Sequence, residues 1–291
     1  MYKTGYVGLE DLGLLEDDLV TVKTMYSQPW GMMLCAGPTS AGKTTTMYSI
    51  LRVLDLEKAS CYTVEDPVEY QMPRINQTQI DSKIGLTFSS ALRSLLRQDP
   101  NILMVGEIRD GETASLAINA ALTGHVVLST LQTNSAPGAI PRLINMKVEP
   151  FLLSSTLNFI LAQRLVRKLS DDKEKYSLGK EQIQNISKYC NIEKIMQSLV
   201  REGVAKKGDK LEDIYFYKPK DMVSGYKGRL GIYELLVVSE NIRNIISRGA
   251  NASEILKQAE QEGIEAMVQD GFVKAAMGQT SIEEVLRVIN E

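Results

Sequence analysis

The chain has 291 residues, 44% apolar and 24% charged, with a formal net charge of -3. That is room for a sizeable core and one or two domains. The charge balance gives no bulk case for wrapping nucleic acid, and no apolar run approaches the length of a membrane span. The first residues, MYKTGYVGLEDLG, lack the apolar core of a signal peptide, so the expectation is a protein that stays where it is made. Cys35, Cys61 and Cys190 lie far apart with no metal-site spacing, and Cys35 and Cys61 fall in apolar runs that read as core. His125 is the single histidine, which excludes a multi-histidine metal centre.

Residues 1–25 are polar and acidic, with interspersed leucines that need something to pack on. GMMLCAG at 31–37 is a short apolar run closed by glycine and reads as a buried strand. A helix is expected from near Lys43 through Leu54. SCYTVED at 60–66 is strand-like and ends in acids before Pro67. FSSALRSLLRQ at 88–98 has helical leucine spacing and stops at Asp99-Pro100. ILMVGE at 102–107 reads as a strand, TASLAINAAL at 113–122 as a helix, and HVVLSTL at 125–131 as a further strand. Strands alternating with helices imply a parallel sheet with crossover helices, whose ligands bind at the carboxyl edge.

Past Lys168 the character changes. A charged excursion is followed by helical sequence over 180–204 and a second charged stretch at 205–213. GYKGRLGIYELL at 225–236 has turn glycines leading into an apolar run. Residues 239–291 alternate helical stretches with glycine breakers and read as a small helical bundle.

The chemistry starts at Gly37-Pro38-Thr39-Ser40-Ala41-Gly42-Lys43-Thr44, which fits the phosphate-loop pattern G-x-x-x-x-G-K-[ST], with Thr45 following. Its glycines let backbone N–H groups turn toward phosphate oxygens, and the next helix adds its positive end. Lys43 is expected on the β- and γ-phosphates and Thr44 on Mg²⁺. Leu103-Met104-Val105-Gly106-Glu107 is an apolar strand ending in an acid, the Walker B pattern, and places Glu107 near the metal and the attacking water. The blander reading has Glu107 simply pairing with Arg109. Glu65, Asp66 and Glu69 put three carboxylates in five residues, which repel unless a cation is near. Glu65 or Asp66 is expected to hold a Mg²⁺-bound water or polarise the nucleophile. Thr123-Gly124-His125 opens the last strand and Ser129 to Asn134 form its exit. Polar groups there are candidate sensors of the γ-phosphate.

Together GPTSAGKTTT, TVEDPVEY, INQTQID, GLTFSSALRSLLRQDPNILMVGEIRD, TASLAINAALTGHVVLSTLQTN and AQRLVRKL resemble the type II/type IV secretion ATPase superfamily. The likeness is to pilus assembly (PilB-type) and type II secretion (GspE-type) ATPases, from about residue 9 to the C-terminus. It implies an α/β, RecA-like P-loop NTPase core over 26–168 with a parallel-containing sheet. An insert over 169–224 and an appended helical C-terminal domain over 225–291 follow. The resemblance implies a homohexameric, Mg²⁺-dependent ATPase, peripheral on the cytoplasmic face of the inner membrane. It would act on a platform protein of the PilC/GspF type, with no nucleic acid bound. Lys43 and Thr44 match Walker A, Glu65 and Asp66 the Asp box with Asp66 near the metal, Glu107 Walker B, and His125 the first histidine of the His box.

Three departures stand out. The second His-box position is Gln132, which can hydrogen-bond a phosphate but cannot carry a proton. Where relatives place zinc thiolates, the insert has Ser170-Asp171-Asp172-Lys173 after RKL, and Lys218 and Asp221 before Gly225, so no zinc is expected and packing must hold it. Relatives carry N-terminal domains that supply arginines, whereas residues 1–25 read as a linker without arginine. Arg74, Arg93, Arg97 and Arg109 remain as candidate charge partners. Two rivals stay open: a nucleic-acid translocase or helicase on the same core, and a nucleotide-binding regulatory subunit with weak turnover.

Overall fold

The computed structural model describes residues 7–54, 56–221 and 224–290. The N-terminal leucines do find a core. A 3-10 turn at Leu9–Leu12 buries Leu9 and Leu12, and helix α1 (Glu16–Tyr26) buries Val22. Over residues 7–25 the expected linker holds this turn and most of α1, which runs past its boundary.

Strand β1 (Gly31–Ala36) is buried at every position, as a strand covered on both faces must be. Helix α2 (Lys43–Val53) follows the glycine-rich loop. Next come β2 (Cys61–Glu65), β3 (Asn76–Gln79), α3 (Phe88–Leu95), β4 (Ile102–Val105), α4 (Gly111–Leu122) and β5 (Val126–Leu131). The polar residues at the helix starts have local jobs. Thr87 and Ser90 form a capping box on α3, and Asp110 caps α4 through the Thr113 N–H. Cys35 and Cys61 are buried, and burial pushes each thiol up to about 12, so both act as small apolar groups.

Helices α5 (Ala136–Asn145) and α6 (Pro150–Thr156) lead into β6 (Leu157–Leu169), a strand the sequence reading did not anticipate. Strand β7 (Lys173–Ser177), helices α7 (Lys180–Ile186) and α8 (Ile192–Arg201) and strand β8 (Tyr215–Pro219) follow. Strand β9 (Tyr226–Val237) precedes helices α9 (Glu240–Ser247), α10 (Ala252–Gln261), α11 (Met267–Ala276) and α12 (Ile282–Ile289). Among the described residues the main sheet runs β3-β2-β4-β5-β1-β6-β9. The pairs β3–β2, β2–β4, β4–β5, β5–β1 and β1–β6 are all parallel, which matches the expected α/β core.

The chain divides into two units, and their limits differ from the sequence-based division. The first holds residues 1–12, 16–162 and 235–264. Within it Arg243 of α9 donates to the Ser154 carbonyl and, at 3.0 Å, to Asn158 Oδ1. Asn158 in turn donates to the Trp30 carbonyl at 2.8 Å, just ahead of β1. So α9 is bonded into the nucleotide-fold unit, not set apart in a C-terminal bundle.

The second unit holds residues 13–15, 163–234 and 265–291. Residues 169–224 share one apolar core with the last two helices: Ile195, Leu199, Leu211 and Phe216 pack with Phe272, Val273 and Val285. Phe216 and Phe272 meet edge to face at 6.1 Å. β7 and β8 form an antiparallel ribbon with ion pairs Lys218–Glu174 at 2.8 Å and Lys220–Asp172 at 2.6 Å. Buried Asp270 and Lys274 pair at 2.6 Å, and both reach β9, through the Tyr233 N–H and the Gly231 carbonyl respectively.

Candidate nucleotide site

Parallel pairing brings the carboxyl ends of β2, β4, β5 and β1 to one sheet edge. Each strand hands the chain to a segment the sequence singled out. β1 leads to Gly37, β2 to Asp66, β4 to Gly106-Glu107, and β5 to Gln132.

The phosphate loop is bonded to β5, because the Gly37 N–H donates to the Leu131 carbonyl at 3.2 Å. Gly42 sits at φ 89°, a left-handed conformation that glycine adopts freely, and it caps α2. Helix α2 begins directly after this loop, and a helix N-terminus is the usual setting for an anion. Lys43 Nζ lies back on the loop, donating to the Gly37 carbonyl at 2.9 Å and the Pro38 carbonyl at 2.7 Å. Thr39, Ser40 and Thr45 are exposed, Pro38, Gly42, Lys43 and Thr44 are half-buried, and Gly37 and Ala41 are buried.

The three carboxylates after β2 have different surroundings. Glu65 is 2% exposed, and both oxygens are occupied. Tyr48 Oη of α2 and Thr63 Oγ1 each donate to it, and Gln77 Nε2 of β3 donates at 3.2 Å. Burial, followed by the adjoining Glu65 carboxylate, pushes the Tyr48 phenol well above its usual range, so it stays a donor. Asp66 and Glu69 are exposed. Three protein donors thus hold Glu65 in place, taking up three of the roughly four acceptor positions of its carboxylate. Tyr48, Thr63 and Gln77 were not picked out as site residues.

Glu107 is mostly buried and accepts from Arg109 Nε at 2.9 Å, while Arg109 Nη1 lies 3.7 Å from Asp66 Oδ2. The pairing foreseen as the bland reading of Glu107 is present, and it extends to the Asp box. Of the other candidate arginines, Arg74 pairs with Glu57 at 2.6 Å, Arg93 pairs with Glu112, and Arg97 is exposed.

His125 and Gln132 separate. Gln132 lies just past β5, at the phosphate-loop edge. His125 lies just before β5, at the opposite edge, about 20 Å away at the usual rise per residue. Its Nδ1 is 2.8 Å from the Ala120 carbonyl and 3.2 Å from Thr123 Oγ1. His125 thus stands apart from the phosphate loop of its own chain. Ser129 and Thr130, also named at the strand exit, donate to the Val105 and Gly106 carbonyls and so fasten β5 to β4.

Among the described residues no group of three or more His, Cys, Asp or Glu is arranged to hold a metal ion. Mg²⁺ bound with a nucleotide needs no such cage, since one or two carboxylates act with phosphate oxygens. Thr44, Asp66 and Glu107 are hard oxygen donors, and their chemistry fits that ion. No helix among the described residues is long and apolar enough to cross a membrane.

The family model described as "Type II/IV secretion system protein" matches residues 2–287. A type II secretion system protein E of Xanthomonas campestris pv. campestris is 46% identical over 284 residues, covering 96% of this chain and 47% of the relative. The type IV pilus assembly ATPase PilB of Thermus thermophilus is 43% identical over 284 residues, covering 96% of this chain and 30% of the relative. The chain thus spans half or less of the length of these two relatives. Among solved structures, the pilus retraction motor PilT with bound ADP superposes with a TM-score of 0.69 at 25% identity, covering 98% of this chain and 67% of that one. The nucleotide-fold edge and these likenesses agree, and the chain belongs to the type II/IV secretion system protein family.

Proposed function

We propose that this chain is the catalytic core of a Mg²⁺-dependent ATPase motor that drives filament assembly, either type IV pilus extension or assembly of a type II secretion pseudopilus. The observation that supports it best is the single sheet edge holding the phosphate loop, Gln132 and the Asp66–Arg109–Glu107 group. In this reading loop amides and the α2 N-terminus hold the phosphates. Lys43 leaves the loop carbonyls for the β- and γ-phosphates, with residues 37–45 forming the cradle. Thr44, Asp66 and Glu107 would hold Mg²⁺, which supplies positive charge to the phosphate oxygens. Glu107 orients the water for in-line attack, helped by Glu69 as the exposed acid of the β2 loop. Glu65 positions that loop. Gln132 hydrogen-bonds the γ-phosphate without changing charge.

The motor works as a homohexamer, peripheral at the cytoplasmic face of the inner membrane, pushing on a PilC/GspF-type platform protein. The test is phosphate release by the purified chain across a concentration series, with mass measured in parallel. Turnover per chain that rises with hexamer formation supports the motor. ATP binding without turnover in every assembly state supports a regulatory subunit instead, and stimulation by DNA or RNA supports a translocase.

A further inference from the structure

β2 and β4 are adjacent and in register at Val64 and Val105. Asp66 and Glu107 lie two residues beyond these partners, on chains about 4.8 Å apart where they leave the sheet. Two carboxylates so placed repel each other and need a cation. Arg109 supplies it, with Nε at 2.9 Å from Glu107 and Nη1 at 3.7 Å from Asp66. Its backbone is pinned on both sides. The Ile108 N–H donates to the Thr130 carbonyl at 3.0 Å, and Asp110 caps α4 by accepting from the Thr113 N–H at 2.8 Å. The Arg109 side chain is 58% exposed, so it can swing out without disturbing packing. Asp110 accepts from Thr113 and Glu112 is engaged by Arg93, so neither competes for it.

We propose that Arg109 is a built-in counter-cation that shares the Asp66–Glu107 pair with Mg²⁺, holding the two acids together and yielding them when Mg²⁺ arrives with nucleotide. The proposal rests on the assignment of this edge as the nucleotide site. Arg109 is a positioning residue here. With no metal, it screens the acids from the incoming phosphates. With metal, it is a competitor that must be displaced. Both effects make the wild-type chain less dependent on Mg²⁺ than a chain without the arginine.

The experiment is calorimetric binding of AMP-PNP, in Mg²⁺ and in EDTA, by the wild-type chain and by Arg109→Gln, Arg109→Lys and Lys43→Ala. The quantity read is the ratio of the two affinities. That ratio should grow about 3-fold or more in Arg109→Gln, in line with ion pairs of modest strength at a solvent-exposed arginine. Arg109→Lys keeps the charge and should shift less. An unchanged or smaller ratio in Arg109→Gln overturns the proposal, as does an equal shift in the two arginine variants. Lys43→Ala separates the premises: if it binds AMP-PNP like the wild type, the site assignment itself fails. If it loses binding while Arg109→Gln keeps the wild-type ratio, the counter-cation role alone fails.

Discussion

The Tyr48 hydroxyl donates to the Glu65 carboxylate, tying the phosphate-loop helix to the exit of the neighbouring acidic strand. The Tyr48 oxygen also lies 3.4 Å from the Glu69 N–H, so one side chain touches both ends of the acidic loop. Tyr48→Phe removes a buried donor to a charge and should cost about 1–3 kcal/mol. Urea unfolding checks this, and a change within error would show that the contact contributes nothing.

Glu65 and Glu69 should respond differently to the same substitution. Glu65→Gln sets an amide against a buried cluster built to donate, so it should lower stability by about 1–3 kcal/mol. Glu69→Gln lies at an exposed position and should leave the melting temperature unchanged while lowering kcat. Parallel melting and phosphate-release assays decide, and the reverse pattern would move the water-orienting role to Glu65.

Glu284 predicts an acid transition in the second unit. Burial raises its pKa, but bonds from Arg287 and Arg167 outweigh that and hold the carboxyl at about 2, against 4.5 ordinarily. A group depressed in the fold stabilises it above the unfolded value and loses that effect as pH falls through the folded one. The contribution should therefore be complete above about pH 5 and fade between about pH 4.5 and 2. Glu284→Gln should flatten the stability profile in that window, as measured by unfolding at a series of pH values.

The Asp270–Lys274 pair offers a test of a buried charge. Lys274→Met leaves the Asp270 carboxylate buried and unpaired, and should cost about 3–5 kcal/mol. Changing both residues to apolar ones should restore much of that loss. A double variant no more stable than Lys274→Met would contradict the view that the penalty lies in the orphaned charge.

The nucleotide edge was legible because its strands announce themselves. β1, β2 and β4 are strand-like runs that stop at glycine or an acid, β5 stops at Gln132, and the phosphate loop follows β1 directly. β3 was not legible, since Asn76-Gln77-Thr78-Gln79 is wholly polar and becomes a strand only by backbone pairing with β2. That pairing sets Gln77 against Thr63 and lets it reach Glu65. Nor could local pattern show that residues 169–224 share a core with α11 and α12, because the contacts join segments far apart in sequence. The distance of His125 from the phosphate loop of its own chain was not legible for a related reason. A motif spanning a whole strand has its two ends on opposite edges of the sheet, so only Gln132 reaches the loop edge.

The central claim is that ATP turns over at the loop formed by residues 37–44, with Glu107 orienting the water. The most direct measurement is steady-state phosphate release by the assembled wild-type chain beside Lys43→Ala and Glu107→Gln. The account predicts measurable turnover in the wild type and its loss in each variant. Turnover that survives both substitutions would contradict it.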